Sequence, residues 1–262
     1  MILNAEFQSS LQPTTQTPIV LIHGLFGSLS NLGMIARKLN QNYDIIQMDL
    51  RSHGLSPHAT NMDYELMAHD VIETLDRLNI KKFSLVGHSM GGKVSMKIAG
   101  LFPNRVDKLI ILDVAPIAYQ GERHEEMFLA IEAVQNNNEH NLSRTQASEI
   151  MRKYLDNEMI IQFLLKSFIK GEWLYNVSAL KENYKNLVSW NPIDAWDKPC
   201  LFIRGSKSEY ILPQYQEAID SQFPLASIET VPDAGHWLHA ENPNLVLSFI
   251  QDYLTKEVPS NV

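Results

Sequence analysis

A serine between glycines, then carboxylates, then a histidine: these side chains occur in this chain in an order that can support nucleophilic chemistry. Gly87-His88-Ser89-Met90-Gly91 has the form G-x-S-x-G, where an apolar run gives way to small residues. A serine hydroxyl is a weak nucleophile until a base takes its proton. On a sharp strand-to-helix turn Ser89 would stand clear of the sheet, and a side chain at Gly87 or Gly91 would collide with neighbouring backbone. The base is expected after the last strand. His236 sits there, in Pro232-Asp233-Ala234-Gly235-His236, with Gly235 allowing the chain to turn toward Ser89. His239 lies three residues on and is expected to point elsewhere.

An acid must orient the histidine, and two carboxylates stand where strands should end. Asp113 directly follows Leu109-Ile110-Ile111-Leu112, and Glu209 lies in the loop after the next apolar run, with Ser206 as a further hydrogen-bonding group. The Glu209 loop is the commoner place for such an acid. Asp113 follows four apolar residues, where a carboxylate is costly to bury unless paired, and this favours it. An oxyanion needs backbone donors. Met90, the residue after the nucleophile, and Leu25, after His23-Gly24, are placed to supply them. Phe26, His88, Met127 and Trp173 are the candidates for substrate contact. Asp49 and Arg51 are expected to pair and order a turn near the site, and Cys200 reads as a small core residue.

The elements that must position these residues are legible around them. TPIVLIHG (17–24), YDIIQMDL (43–50), FSLVGHS (83–89), VDKLIILDVA (106–115) and KPCLFIRG (198–205) are near-continuous apolar runs, as in parallel strands buried on both faces. Residues 226–231 form a weaker last strand and residues 1–8 a possible edge strand. Helical periodicity over 62–78, 90–101 and 244–254 alternates with these runs, which predicts a mostly parallel α/β sheet with helices on both faces. The alternation breaks at residues 116–190, where helices are expected over 125–134, 144–155 and 159–169, with a Ser143/Gln146 capping box and an Asn136-Asn137-Asn138 linker. This stretch reads as an all-helical lid inserted into a core made of residues 1–115 and 191–262, with a frayed tail at 258–262.

Composition narrows the partners. The chain has 262 residues, 45% hydrophobic and 20% charged, with a net charge of −8 and no basic run. Nucleic acid is therefore not an expected partner. A single cysteine excludes an intrachain disulfide and CxxC metal sites. Without H-E-x-x-H, G-x-G-x-x-G or Walker patterns, neither a metal nor a nucleotide cofactor is expected. No apolar window is long enough to span a bilayer and no leader pattern opens the chain, so a cytoplasmic protein with no membrane partner is expected. Nothing in the sequence separates monomer from homodimer.

Together, His23-Gly24, Asp49 to Ser56, Gly87 to Gly92 and Gly235-His236 resemble the α/β-hydrolase superfamily across residues 17–254. Gly87 to Lys93, Arg51 to Pro57, Leu112 to Pro116 and Gly171-Glu172-Trp173 are similar to the YbfF-type bacterial esterases. The resemblance implies hydrolysis of small-molecule acyl esters, in some members acyl-CoA thioesters, and implies Asp113 as the acid, although this chain also carries Glu209. Ser89 at the elbow departs from dehalogenases and epoxide hydrolases, which carry Asp there. Carbon–carbon bond hydrolases keep the same Ser and His and are the alternative enzyme. A non-catalytic binding protein on this fold would be expected to lack one of these residues.

Overall fold

Runs of Ile, Val and Leu too short for a helix and too apolar for a solvent-facing strand pack best as interior strands. The computed structural model describes residues 1–121, 123–137 and 142–256. In it the strands are β1 (Ala5–Gln8), β2 (Ile19–Ile22), β3 (Ile45–Met48), β4 (Phe83–His88), β5 (Val106–Leu112), β6 (Phe168–Ile169), β7 (Glu172–Trp173), β8 (Cys200–Gly205) and β9 (Ala226–Val231). Seven form one sheet in the order β1-β3-β2-β4-β5-β8-β9. All its neighbours run parallel except β1, which caps one edge antiparallel to β3.

Alternate residues of each central strand enter different layers. Val20, Ile22, Leu85, Leu109, Ile111 and Phe202 pack on one face with α2 (Tyr64–Arg77) and α3 (Met90–Leu101). Ile19, Leu21, Val86, Ile110, Leu112 and Ile203 pack on the other with α1 (Gly33–Leu39) and α11 (Pro243–Thr255). Both layers are apolar, so the strands cannot slip by a residue without changing faces. Helix α2 starts at Asp63, whose carboxylate accepts from the Leu66 amide, and α11 at Asn242, whose amide oxygen accepts from Leu245.

Residues 116–190 lie between two sheet neighbours, β5 and β8, and carry α4 (Glu125–Gln135), α5 (Arg144–Met151), α6 (Glu158–Leu165), α7 (Val177–Glu182) and α8 (Tyr184–Val188). The Ser143–Gln146 capping box is present at α5. The insertion is not all-helical. Helix α6 stops at Leu165, short of the expected 169, and β6 and β7 form a hairpin whose turn, Lys170-Gly171, has φ of 51° and 85°. Two consecutive left-handed residues make a tight hairpin turn, not a helix end. Helices α7 and α8 are too short for periodicity to announce. Asn136 ends α4, while Asn138 of the expected linker and the tail at 258–262 lie outside the described residues. Two remaining short helices, α9 (Gln216–Gln222) and α10 (Leu238–Glu241), flank β9.

Candidate active site

The carboxyl ends of β4, β5, β8 and β9 share one edge of the sheet, and the singled-out residues sit on it. Ser89 follows β4 with φ 53°, and its amide extends the sheet by donating to Leu112 C=O at 3.0 Å. Such a left-handed serine persists only where its surroundings over-determine it. They do: a Cβ on Gly87 would lie 2.3 Å from the Gly91 carbonyl oxygen, and one on Gly91 2.3 Å from that of Ile22. The two glycines let α3 start directly against β2, with Ser89 at its N-terminus, where the helix dipole favours negative charge.

Asp113 follows β5, also left-handed at φ 54°, with its amide donating to Ile203 C=O at 2.8 Å. Its carboxylate is fully buried and fully engaged. Oδ1 accepts from the Gly205 amide at 3.0 Å, and Oδ2 accepts from the Ser208 hydroxyl and from His236 Nδ1, the latter at 2.7 Å. The other ring nitrogen, His236 Nε2, is 2.9 Å from Ser89 Oγ. A carboxylate can only accept, so Nδ1 carries the proton and Nε2 is the acceptor for the serine hydroxyl. Ser89, His236 and Asp113 thus form one continuous hydrogen-bonded row across three loops.

Glu209 does not join it. That carboxylate is 77% exposed and its ion-pair partner is Arg123, at 3.8 Å. Ser206 is not on Asp113 either: its hydroxyl accepts from the Asp233 amide, and Ser208, two residues on, reaches the carboxylate instead. Asp49 and Arg51 do not pair. Arg51 turns toward α2 and grips Asp70 with two nitrogens, at 2.6 and 2.9 Å. Asp49 instead accepts from the amides of Leu29 and Leu55 and from the Asn4 side chain, closing the turn over Gly54.

Leu25 and Met90 line, with Ser89, a narrow pocket of about 30 Å³. Two buried histidines shape the loop holding Leu25. His23 donates from Nδ1 to Gly24 C=O and accepts from the Leu50 amide, and His53 accepts from the Phe26 amide. Burial pushes the pKa of His23 down and that of His53 to about 3, so both stay neutral and can accept. The dipeptides His23-Gly24 and His53-Gly54 carried this signal, since a histidine beside a turn can brace it.

Phe26, His88, Met127 and Trp173 do not line this pocket. Phe26 is buried against Phe128 and Tyr175. Met127 packs on the main core. Trp173 stacks on Tyr175 and donates to Ile131 C=O. His88 faces the His236 loop. The walls come instead from Lys93, Tyr119, Arg123, His124, Tyr184 and Tyr210, among others. Tyr210 lies flat on His236, centroids 3.9 Å apart. Arg123 stacks over Tyr119 and Tyr210, and its buried Nε has no hydrogen-bond partner among the described residues. Burial pushes His124 down to about 3 and Lys93 down to about 7. Sequence reasoning missed all six. Only the lysine within an apolar helix was visible as an anomaly.

Tyr119, Tyr184 and Val188 also border a larger groove of about 710 Å³ between α4 and α7–α8, with Phe128 and Leu129 on its floor. Among the described residues, no group of three or more His, Cys, Asp or Glu is gathered as metal ligands would be, and no helix is long and apolar enough to cross a membrane. Cys200 is buried in β8, and burial raises its pKa to about 12.

Comparison with known proteins agrees with this architecture. The family described as alpha/beta hydrolase fold matches residues 17–243. Esterase YbfF of Escherichia coli K12 is 48% identical over 97% of this chain and 99% of its own length. An sn-1-specific diacylglycerol lipase of Danio rerio is 34% identical over 91% of this chain and 78% of its own. Among solved structures, a marine microorganism esterase superposes with a TM-score of 0.90 at 31% identity, covering 96% of this chain and 99% of that one.

Proposed function

The chain belongs to the α/β-hydrolase fold family and is a carboxylic ester hydrolase of the YbfF type, and on that premise we propose that Ser89, His236 and Asp113 cleave acyl esters through an acyl-enzyme. The observation that carries this reading is the row Ser89 Oγ–His236 Nε2–His236 Nδ1–Asp113, with spacings of 2.9 and 2.7 Å. Ser89 attacks the acyl carbonyl while Nε2 takes its proton. Asp113 holds the imidazole tautomer and stabilises the imidazolium. The Leu25 and Met90 amides receive the developing oxyanion. His236 returns the proton to the leaving alcohol, then activates water to release the acid. Ser208 and the Gly205 amide hold Asp113 as a carboxylate acceptor.

The insertion acts as the lid. The pocket at Ser89 shares Tyr119, Tyr184 and Val188 with the groove, and the acyl chain extends past them into it. Two lysines, Lys181 and Lys185, and two glutamates, Glu125 and Glu132, border that groove, with Lys181 paired to Glu132 at 2.6 Å. Such balanced charge supports an uncharged acyl chain over an anionic one.

Ser89→Ala tests the reading. Turnover of aryl esters should fall by about 10⁴-fold or more with folding unchanged by circular dichroism, and a fluorophosphonate should label the parent at Ser89. Comparable turnover in the variant would refute it.

A further inference from the structure

One buried side chain outside the pocket ties the nucleophile turn to the backbone of the histidine loop. His88 precedes Ser89 and is buried, and its Nε2 lies 2.9 Å from the backbone carbonyl of His236, 148 residues away in sequence. A carbonyl can only accept, so His88 donates and its tautomer is set. The ring is held between two others: the His236 ring at 4.8 Å and the His239 ring at 4.4 Å. Burial and the neighbouring histidines push the pKa of His88 well down, which keeps it neutral and the donor in place. The backbone of the His236 loop is also tied by Glu241, which accepts from the Gly235 amide at 2.9 Å, and by the loop after β8, where the Lys207 amide donates to Ala234 C=O at 2.9 Å and the Ser206 hydroxyl accepts from the Asp233 amide at 2.9 Å. Neither of these ties reaches the nucleophile turn.

We propose that His88 is a positioning residue: its N–H to the His236 carbonyl fixes the histidine loop to the nucleophile turn and so sets the Ser89–His236 spacing. This rests on the reading of Ser89 and His236 given above. The residue before the nucleophile and the base then move as one unit, and the row keeps its geometry when the insertion changes shape. A donor-dependent role predicts dependence on the position of one N–H. A glutamine side chain places its Nε2 near where the histidine Nε2 lies, whereas asparagine mimics Nδ1 and falls short. The two amides are otherwise alike in polarity.

The test compares His88→Gln, His88→Asn and His88→Phe with the parent and with Ser89→Ala, using a short aryl ester. His88→Asn and His88→Phe should lose about 10–100-fold in kcat with KM within about threefold, since a misplacement of about 1 Å can cost about 10²-fold. His88→Gln should stay within about fivefold of the parent. The far-downfield proton resonance of the His236–Asp113 hydrogen bond should persist in the Gln variant and weaken in the Asn variant. Should His88→Phe not fold, the Gln/Asn pair decides alone. Equal losses in Gln and Asn, or no loss in either, would overturn the proposal. Turnover surviving in Ser89→Ala would overturn the underlying reading instead.

Discussion

The carboxyl edge of the sheet and the insertion above it hold their residues by different means. Ser89 and Asp113 each come one residue after a strand that is buried along its end, and their amides donate to the neighbouring strand's carbonyls. Among its described residues, the insertion has helices of 11, 8, 8, 6 and 5 residues and a two-stranded hairpin. Helices this short are marginal alone. They are tied to the core by contacts that include Tyr64 OH to Leu187 C=O, the Asn176 amide to Ser52 C=O, and the Lys93 ammonium to Val188 and Ser189 carbonyls, and their buried apolar residues join one cluster with those of the sheet. Reacting groups therefore sit just after sheet strands, while the pocket wall is shared between the core (Lys93, Tyr210) and the insertion (Tyr119, Arg123, His124, Tyr184).

The largest effect should separate the two carboxylates. Asp113→Asn leaves the shape but forces the wrong donor pattern on His236 Nδ1, and should lower kcat by about 10⁴-fold. Glu209→Gln, on an exposed loop, should stay within about threefold, because a surface pair at 3.8 Å contributes little. Steady-state kinetics on one aryl ester decides it. The reverse pattern would move the acid to the loop after β8 and remove Asp113 from the chemistry.

This contrast also explains what could be read from the sequence. Residues at strand ends are marked by the apolar run before them, so the places of Ser89 and Asp113 and the alternation of strands and helices in a mostly parallel sheet were legible, whereas the strand order was not. Asp113 against Glu209 stayed open from residues alone because both follow strands, and only the three-dimensional direction of the side chains separates them. The sequence pointed to Ser206 where the structure places Ser208, because a loop has no fixed period to say which hydroxyl turns inward. The pocket walls were not legible for a related reason. Periodicity in 125–134 reports an apolar helix face, but Phe128 faces a groove and the core at once, while Met127 and Trp173 pack against the core. Arg51 paired with Asp70, not Asp49, because a long side chain can reach an adjacent helix.

The insertion's own contribution should be smaller and depend on substrate. Val188 borders both the pocket at Ser89 and the groove. Val188→Phe narrows the passage between them. For esters of long acyl chains kcat/KM should fall by about 10–10²-fold, within the range set by fit in an apolar site. For acetyl esters it should change by less than about threefold. An equal fall for both would mean that the insertion helps place the reacting groups, and the contrast between the two regions would fail.

Lys93 joins the regions, and its titration gives the smallest of these effects. It lies on α3, yet its ammonium donates to Ser189 C=O at 2.9 Å and to Val188 C=O at 3.3 Å, and rests 4.7 Å from the Tyr119 ring centre. Burial lowers its pKa from 10.5 to about 7. Below about pH 7 both folded and unfolded chains carry the charge, and the folded state bears its full desolvation cost. Between about 7 and 10.5 the unfolded chain binds the extra proton, so stability from this group rises with pH across that window. Lys93→Met keeps the length and removes the titration. Urea denaturation near pH 6 and pH 9 should show the parent gaining about 1–3 kcal/mol on the variant at the higher pH. A constant difference would mean that the Val188 and Ser189 carbonyls and the surrounding rings hold the ammonium charged throughout. The two regions would then be joined by a fixed charge, and the insertion would be as firmly placed as the edge beneath it.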